Sequence, residues 1–219
     1  MTTTQTGLRQ LQYRITSEDC DALRARLTAG REENEGQDIH ALYFTSYRNR
    51  IPAQSPWELL ATEPRFSLCY FDKDPSYLRL ERYWGDTHTS AMVAEAECRA
   101  LLAGETDWLM GRHNPVLQDF HDGLTQRMLL PQVLLTYHRE IYTPEGLELC
   151  VALDTGIRAT LQHMDFLDPQ LLERDTAGQE GQYLLDIRYS DDVPVEVMYL
   201  LEETAPRRKL ITERRISAY

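Results

Sequence analysis

The sequence has no apolar run approaching 18 residues, which excludes a membrane-spanning helix. Met1–Gly7 is polar and threonine-rich, with no basic stretch leading into an apolar one, so no secretory signal is expected. There is no Cys-x-x-Cys, and the four cysteines, Cys20, Cys69, Cys98 and Cys150, lie far apart. They are expected to be reduced thiols packed as small apolar groups in a cytoplasmic protein. The glycine patterns of phosphate loops and dinucleotide sites are missing, as are His-Glu-x-x-His and Gly-x-Ser-x-Gly. The six histidines, His40, His88, His113, His121, His138 and His163, show no ligand spacing on one element. Positive charge is scarce as well. Lys and Arg number 23 against 35 Asp and Glu, a formal net charge of −12, which argues against a general nucleic-acid binder.

What is present suits one globular domain. The chain has 219 residues, 42% of them hydrophobic, enough to bury a core without a disulfide or metal staple. Residues 1–7 read as a flexible arm and 8–219 as the domain. Apolar and polar residues alternate in Leu11–Ile15 and Tyr77–Trp84, the pattern of half-buried strands. Ile39–Phe44, Phe66–Phe71, Val133–Tyr142, Leu147–Leu153 and Tyr183–Tyr189 are further predicted strands, with Tyr142–Gly146 as a hairpin turn. Arg31–Asp38 and Thr176–Gly181 read as loops. Helices are predicted from Thr16 or Ser17 to Gly30, over Ala91–Ala103, from Asn114-Pro115 to about Met128, and from Asp192 through Glu202.

The order of elements is not a repeated strand–helix–strand. It predicts an α+β fold with a mostly antiparallel sheet. Polar residues recur on both faces of several strands, as a closed barrel with a polar interior requires. Acid and base also share a strand face at i and i+2, in Arg79 and Glu81 and again in Asp186 and Arg188. Two explanations stand. One is a solvated outer face, where ion pairs are worth little. The other is a barrel interior, where carboxylates hold a divalent metal and arginines hold phosphate oxygens.

Seven motifs in order resemble the polyphosphate polymerase domain of the vacuolar transporter chaperone family, a branch of the triphosphate tunnel metalloenzymes. They are Gln10–Ile15, Ala41–Phe44, Leu78–Glu81, Leu101–Leu109, Leu130–Glu140, Leu185–Tyr189 and Ser217–Tyr219. The resemblance implies an eight-stranded antiparallel β tunnel barrel with helices packed outside. It implies phosphate binding by Arg65, Arg79, Arg139, Arg158 and Arg188. It implies Mg or Mn held by Glu81 and Asp186, and transfer of a nucleotide's terminal phosphoryl group onto polyphosphate.

The departures from the family pattern bear on function. Gln10 and Gln12 stand in place of its Glu and Lys, Asp38 and His40 in place of paired arginines, and Ser67 and Cys69 in place of Arg-x-Arg. Tyr83, Cys150 and Ala218 replace three more cations. Each lost charge-assisted contact costs about 1.5–3 kcal/mol, so tight polyphosphate binding is not expected. The expected function is a degenerate tunnel domain with weak or altered anion binding, its ligand a phosphate-containing small molecule or polyanion and its metal weakly held. The alternatives are an active metal-dependent phosphotransferase and a non-catalytic scaffold for a protein partner. Gln10, Gln12, His40, Ser67, Cys69, Arg79, Glu81, Tyr83, Arg139, Asp186 and Arg188 are expected to point inward. The basic run Arg207–Lys209 with Arg214-Arg215 is expected in a solvated loop.

Overall fold

The computed structural model describes residues 7–29, 35–46, 65–84, 87–143, 148–160, 166–168, 182–190, 195, 198–199, 202 and 209–217. The chain divides into two compact units. The first comprises residues 1–37, 137–157 and 180–219, and the second 38–136 and 158–179.

In the first unit, β1 (Gly7–Ile15), β7 (Leu149–Thr160), β8 (Gln182–Tyr189) and β9 (Lys209–Ser217) join the end of β6 (Leu129–Tyr142). Their order is β6–β7–β8–β1–β9, and β1 runs antiparallel to both β8 and β9. Strand alternation separates two faces. Leu11, Tyr13, Ile15, Val151, Leu153, Leu185 and Ile187 form one, packed with Cys20 and Leu23 of helix α1 (Ser17–Leu27). Thr16 caps α1 by accepting the Asp19 N–H at 3.2 Å. Arg24 of α1 reaches β6, where its Nη2 donates to the buried Glu140 Oε1 at 2.8 Å. The Tyr142 hydroxyl donates to the other Glu140 oxygen at 2.5 Å. The register puts Gln10, Gln12, Cys150, Ala152, Asp186 and Arg188 together on the opposite, polar face.

In the second unit, β2 (Gln37–Ser46), β3 (Arg65–Phe71), β4 (Asp74–Trp84) and β5 (Thr87–Val93) join the start of β6 in the order β5–β4–β3–β2–β6. Asp72 and Lys73, both at positive φ, make the two-residue turn between β3 and β4. Leu42, Phe44, Phe66, Leu68, Leu78, Leu80, Ala91 and Val93 form the apolar face. It packs with Cys98 and Leu101 of α2 (Glu95–Leu102), Leu109 of α3 (Trp108–Gly111), and Leu117 and Phe120 of α4 (Pro115–Gln126). Asn114 caps α4, accepting the Val116 N–H at 2.9 Å, and proline follows at the first helical position.

The fold is α+β and mostly antiparallel, as the element order predicts. Nine strands are described rather than eight, in an order that does not close on itself among the described residues as the expected barrel would. Against the seven strands read from the sequence, the additions are β9 and β5, part of which the sequence assigns to a helix over Ala91–Ala103. Ala91 and Val93 instead pair with Leu80 and Leu78 and complete the apolar face. The helix begins only after Ala94, whose N–H donates to Glu97 at 2.8 Å. The basic run differs too, since Lys209, Arg214 and Arg215 lie in β9 and not in a loop. Residues 1–6, Gly30–Asn34, Thr176–Gly181 and most of the Tyr142–Gly146 turn lie outside the described residues. So does most of the Asp192–Glu202 segment, within which Val195, Met198, Tyr199 and Glu202 are helical. Among the described residues, no helix is long and apolar enough to cross a membrane. Cys20, Cys69 and Cys98 are buried free thiols and Cys150 is half-buried.

Candidate functional site

Each unit carries a cluster of charged side chains on its polar face. In the first, the β1–β8 register sets Gln12 opposite Asp186 and Gln10 opposite Arg188. Asp186 is 1% exposed. Its Oδ2 accepts Gln10 Nε2 at 2.6 Å and Gln12 Nε2 at 2.9 Å, and its Oδ1 accepts Arg188 Nε at 3.3 Å. Burial opposes ionisation of Asp186, but Arg188, Arg139 and the Gln12 hydrogen bond outweigh it and hold the carboxyl below its usual value. On the same face, Arg139 donates from Nε and Nη2 to the two oxygens of Asp154, at 2.6 and 2.8 Å. The Tyr137 ring lies 5.3 Å from that guanidinium. Burial pushes the Asp154 carboxyl up against the pull of Arg139, and Asp186 adds to the rise.

In the second unit, Glu81 is the centre. The strand pairings place Ser67 and Ser90 opposite it, Cys69 opposite Arg79, and His88 opposite Tyr83. Arg79 Nη2 lies 2.8 Å from Glu81 Oε1. The Tyr83 hydroxyl donates to Oε2 at 2.8 Å, with His88 Nε2 at 3.7 Å and Cys69 Sγ at 3.8 Å from the same oxygen. Burial alone would raise the Glu81 carboxyl, yet His88, Arg79 and Tyr83 together bring it down to about 2. Burial and the Glu81 charge push the Cys69 thiol well up, so it is no nucleophile at neutral pH.

The expected interior residues are thus collected within each unit. Gln10, Gln12, Arg139, Asp186 and Arg188 gather in the first, and Ser67, Cys69, Arg79, Glu81 and Tyr83 in the second. His40 is the exception. It alternates with Ala41 and shares the apolar face with Leu42 and Phe44. There it stacks on Tyr70 at 4.6 Å, and the Tyr70 hydroxyl donates to the Phe166 carbonyl at 3.0 Å. Arg65 opens β3 opposite Tyr83; its side chain lies outside the described residues. Arg158 lies near the end of β7, in the part of that strand belonging to the second unit, and is half-buried.

Sequence reasoning misses Asp154 and His88. Asp154 ends the apolar run Val151–Leu153, which masks its two-residue step from Ala152. His88 lies on β5, which the sequence pattern does not mark as a strand.

The described residues do not make a resident Mg or Mn site. Such an ion needs near-octahedral oxygen ligation, whereas the oxygens of Asp186 and Glu81 already accept bonds from glutamine, arginine and tyrosine. Among the described residues, no group of three or more His, Cys, Asp or Glu is placed to hold a metal ion.

No family model matches the chain, and no curated protein matches it. Solved structures do. A candidate adenylyl cyclase from Hippeastrum with a dominant triphosphatase activity superposes with a TM-score of 0.52 at 13% identity, over 97% of this chain and 92% of that one. A candidate adenylate cyclase from Bacillus halodurans gives 0.49 at 11% identity, over 89% and 85%. The chain shares the fold of the Hippeastrum protein.

Proposed function

We propose that this chain is a degenerate triphosphate-tunnel protein that binds phosphate-bearing small molecules weakly and does not synthesise polyphosphate. Kinship with the polyphosphate polymerases and the roles of Arg65, Arg79, Arg139, Arg158 and Arg188 toward phosphate are parts of that proposal. They rest on the seven sequence motifs, and the fold shared with a protein of triphosphatase activity supports only the wider tunnel-fold reading.

One observation carries the reading. Three of the retained arginines are already neutralised by the chain's own carboxylates: Arg79 by Glu81, Arg139 by Asp154 and Arg188 by Asp186. Phosphoryl transfer needs cations free to neutralise charge spreading over the transferred group. A triphosphate would have to displace an internal carboxylate at each of these arginines, and the displaced carboxylate would then repel it. A divalent cation would act as a Lewis acid on bound phosphates. Glu81 and Asp186, the carboxylates the family pattern would give it, lie in different units, and each is already engaged by donors of its own unit. What the chain's own residues supply is polar recognition. Arg188 is half-buried beside Gln10 and Gln12 in the first unit, and Arg79 is half-buried beside Glu81 in the second.

The test is incubation of purified protein with ATP and Mn²⁺, assayed for polyphosphate, beside calorimetry with tripolyphosphate. We expect no polymer and a dissociation constant no tighter than roughly 0.1 mM. Robust synthesis that Glu81→Ala or Arg139→Ala abolishes would overturn the reading.

A further inference from the structure

We infer that Asp154 is the specificity-determining residue of the first unit's polar face: its carboxylate occupies the two N–H donors with which Arg139 would grip an oxyanion, and so keeps phosphate off that guanidinium. The inference rests on the reading of Arg139 as a phosphate-facing residue.

The geometry is that of a bound ligand. Nε and Nη2 form the edge of a guanidinium that pairs two parallel bonds with a carboxylate or a phosphate. In this chain that edge is filled at 2.6 and 2.8 Å by Asp154. The pair is shielded from water, with 19% of the Arg139 side chain exposed and 5% of Asp154. A low local dielectric makes the attraction hard for a dilute ion to compete with.

Charge accounting gives the same answer. Among the described side chains, Asp154 and Asp186 offset Arg139 and Arg188, so these four sum to zero. Asp186 cannot take over from Asp154, since it already accepts Gln10, Gln12 and Arg188. Converting Asp154 to the isosteric amide therefore leaves one uncompensated positive charge and frees half of the Arg139 fork. The side chain of Asn is nearly the same size, so the substitution leaves the volume at this position unchanged.

The experiment is calorimetric titration of the full chain with inorganic tripolyphosphate at pH 7.5 and low salt. Asp154→Asn is expected to bind at least about tenfold more tightly than the wild type. The double variant Asp154→Asn, Arg139→Met should lose that gain. A folded Asp154→Asn protein that binds no more tightly than wild type, or a gain that survives removal of Arg139, would overturn the inference.

A second readout needs no variant that must fold. The ¹⁵Nε resonance of Arg139 in the wild-type protein should stay unmoved as tripolyphosphate is added. A saturable shift of that resonance would overturn the inference even if Asp154→Asn does not fold. Tight wild-type binding with an unmoved Arg139 signal would sink only the weak-binding reading above. Weak wild-type binding with no gain in folded Asp154→Asn would sink only the role of Asp154.

Discussion

Arg24 on α1 and Glu140 on β6 are joined by a bidentate contact, Nε at 2.9 Å from Oε2 and Nη2 at 2.8 Å from Oε1, that ties the helix to the sheet. The Glu140 side chain is 8% exposed and that of Arg24 35%, so the acid is the member that cannot be left alone. Burial alone would raise the Glu140 carboxyl, but Arg24 and the Tyr142 hydroxyl outweigh it and hold the group below its usual range.

Arg24→Met should therefore cost about 3 kcal/mol, because it strands a buried carboxylate. Glu140→Gln should cost less, since the amide still accepts from Arg24 or Tyr142. Urea unfolding of both single variants and the double variant gives the coupling energy. Additive effects would show that the pair does not act as a unit.

Glu81 predicts acid sensitivity. Its carboxyl is near 4.5 unfolded and about 2 folded. A depressed folded value means the stabilisation is fully present above pH 4.5 and is lost as pH falls toward 2. The difference amounts to about 3 kcal/mol. Unfolding midpoints of wild type and Glu81→Gln at pH 6, 4 and 3 should converge as the pH drops. Parallel curves would contradict the assignment.

Phe120 meets Phe44 edge-on at 4.9 Å and Phe66 at 5.1 Å, and none of the three is more than 1% exposed. Phe120→Ala should cost about 3–5 kcal/mol in denaturant unfolding. A loss under about 1 kcal/mol would mean that the second unit's apolar face collapses around the vacancy.

The thiols should differ in reactivity. Burial raises Cys20 to about 11 and Cys98 to about 12, and raises Cys69 and Cys150 as well. Cys150 is the half-buried one. At pH 8 the folded protein should react with a thiol reagent slowly and at Cys150 first, and at all four positions once unfolded. Peptide mapping after a timed alkylation identifies the site.

Much of this was legible in the sequence where alternation is clean. Leu78-Arg79-Leu80-Glu81 fixes both faces of β4, and Leu185-Asp186-Ile187-Arg188 fixes those of β8. His40 is expected inward with the others, whereas its step from Ala41 holds it to the face of Leu42 and Phe44. Elsewhere the local signal points the wrong way. Thr87–Val93 begins polar and ends in helix formers, and only pairing with β4 makes it a strand. Lys209 and the arginines of β9 read as solvated charge until β1 supplies their backbone partners. Gln10 and Gln12 read as a lost carboxylate and a lost cation, whereas the structure makes them the amide donors that hold Asp186.

The two units differ in how far along the chain their strands must look for partners. In the second, β2 through β5 pair with the next strand in sequence. In the first, β1 waits for β8 and β9, and the Gln10–Asp186 bond spans 176 residues. Closing so long a loop is entropically slow. On a ribosome, the second unit's strand ladder can form while the chain is still being made. Leu11, Tyr13 and Ile15 must remain without their sheet partners until the last two strands emerge. That interval exposes an apolar strand edge to other nascent chains, so β1 is where a chaperone holding this protein during synthesis would be needed.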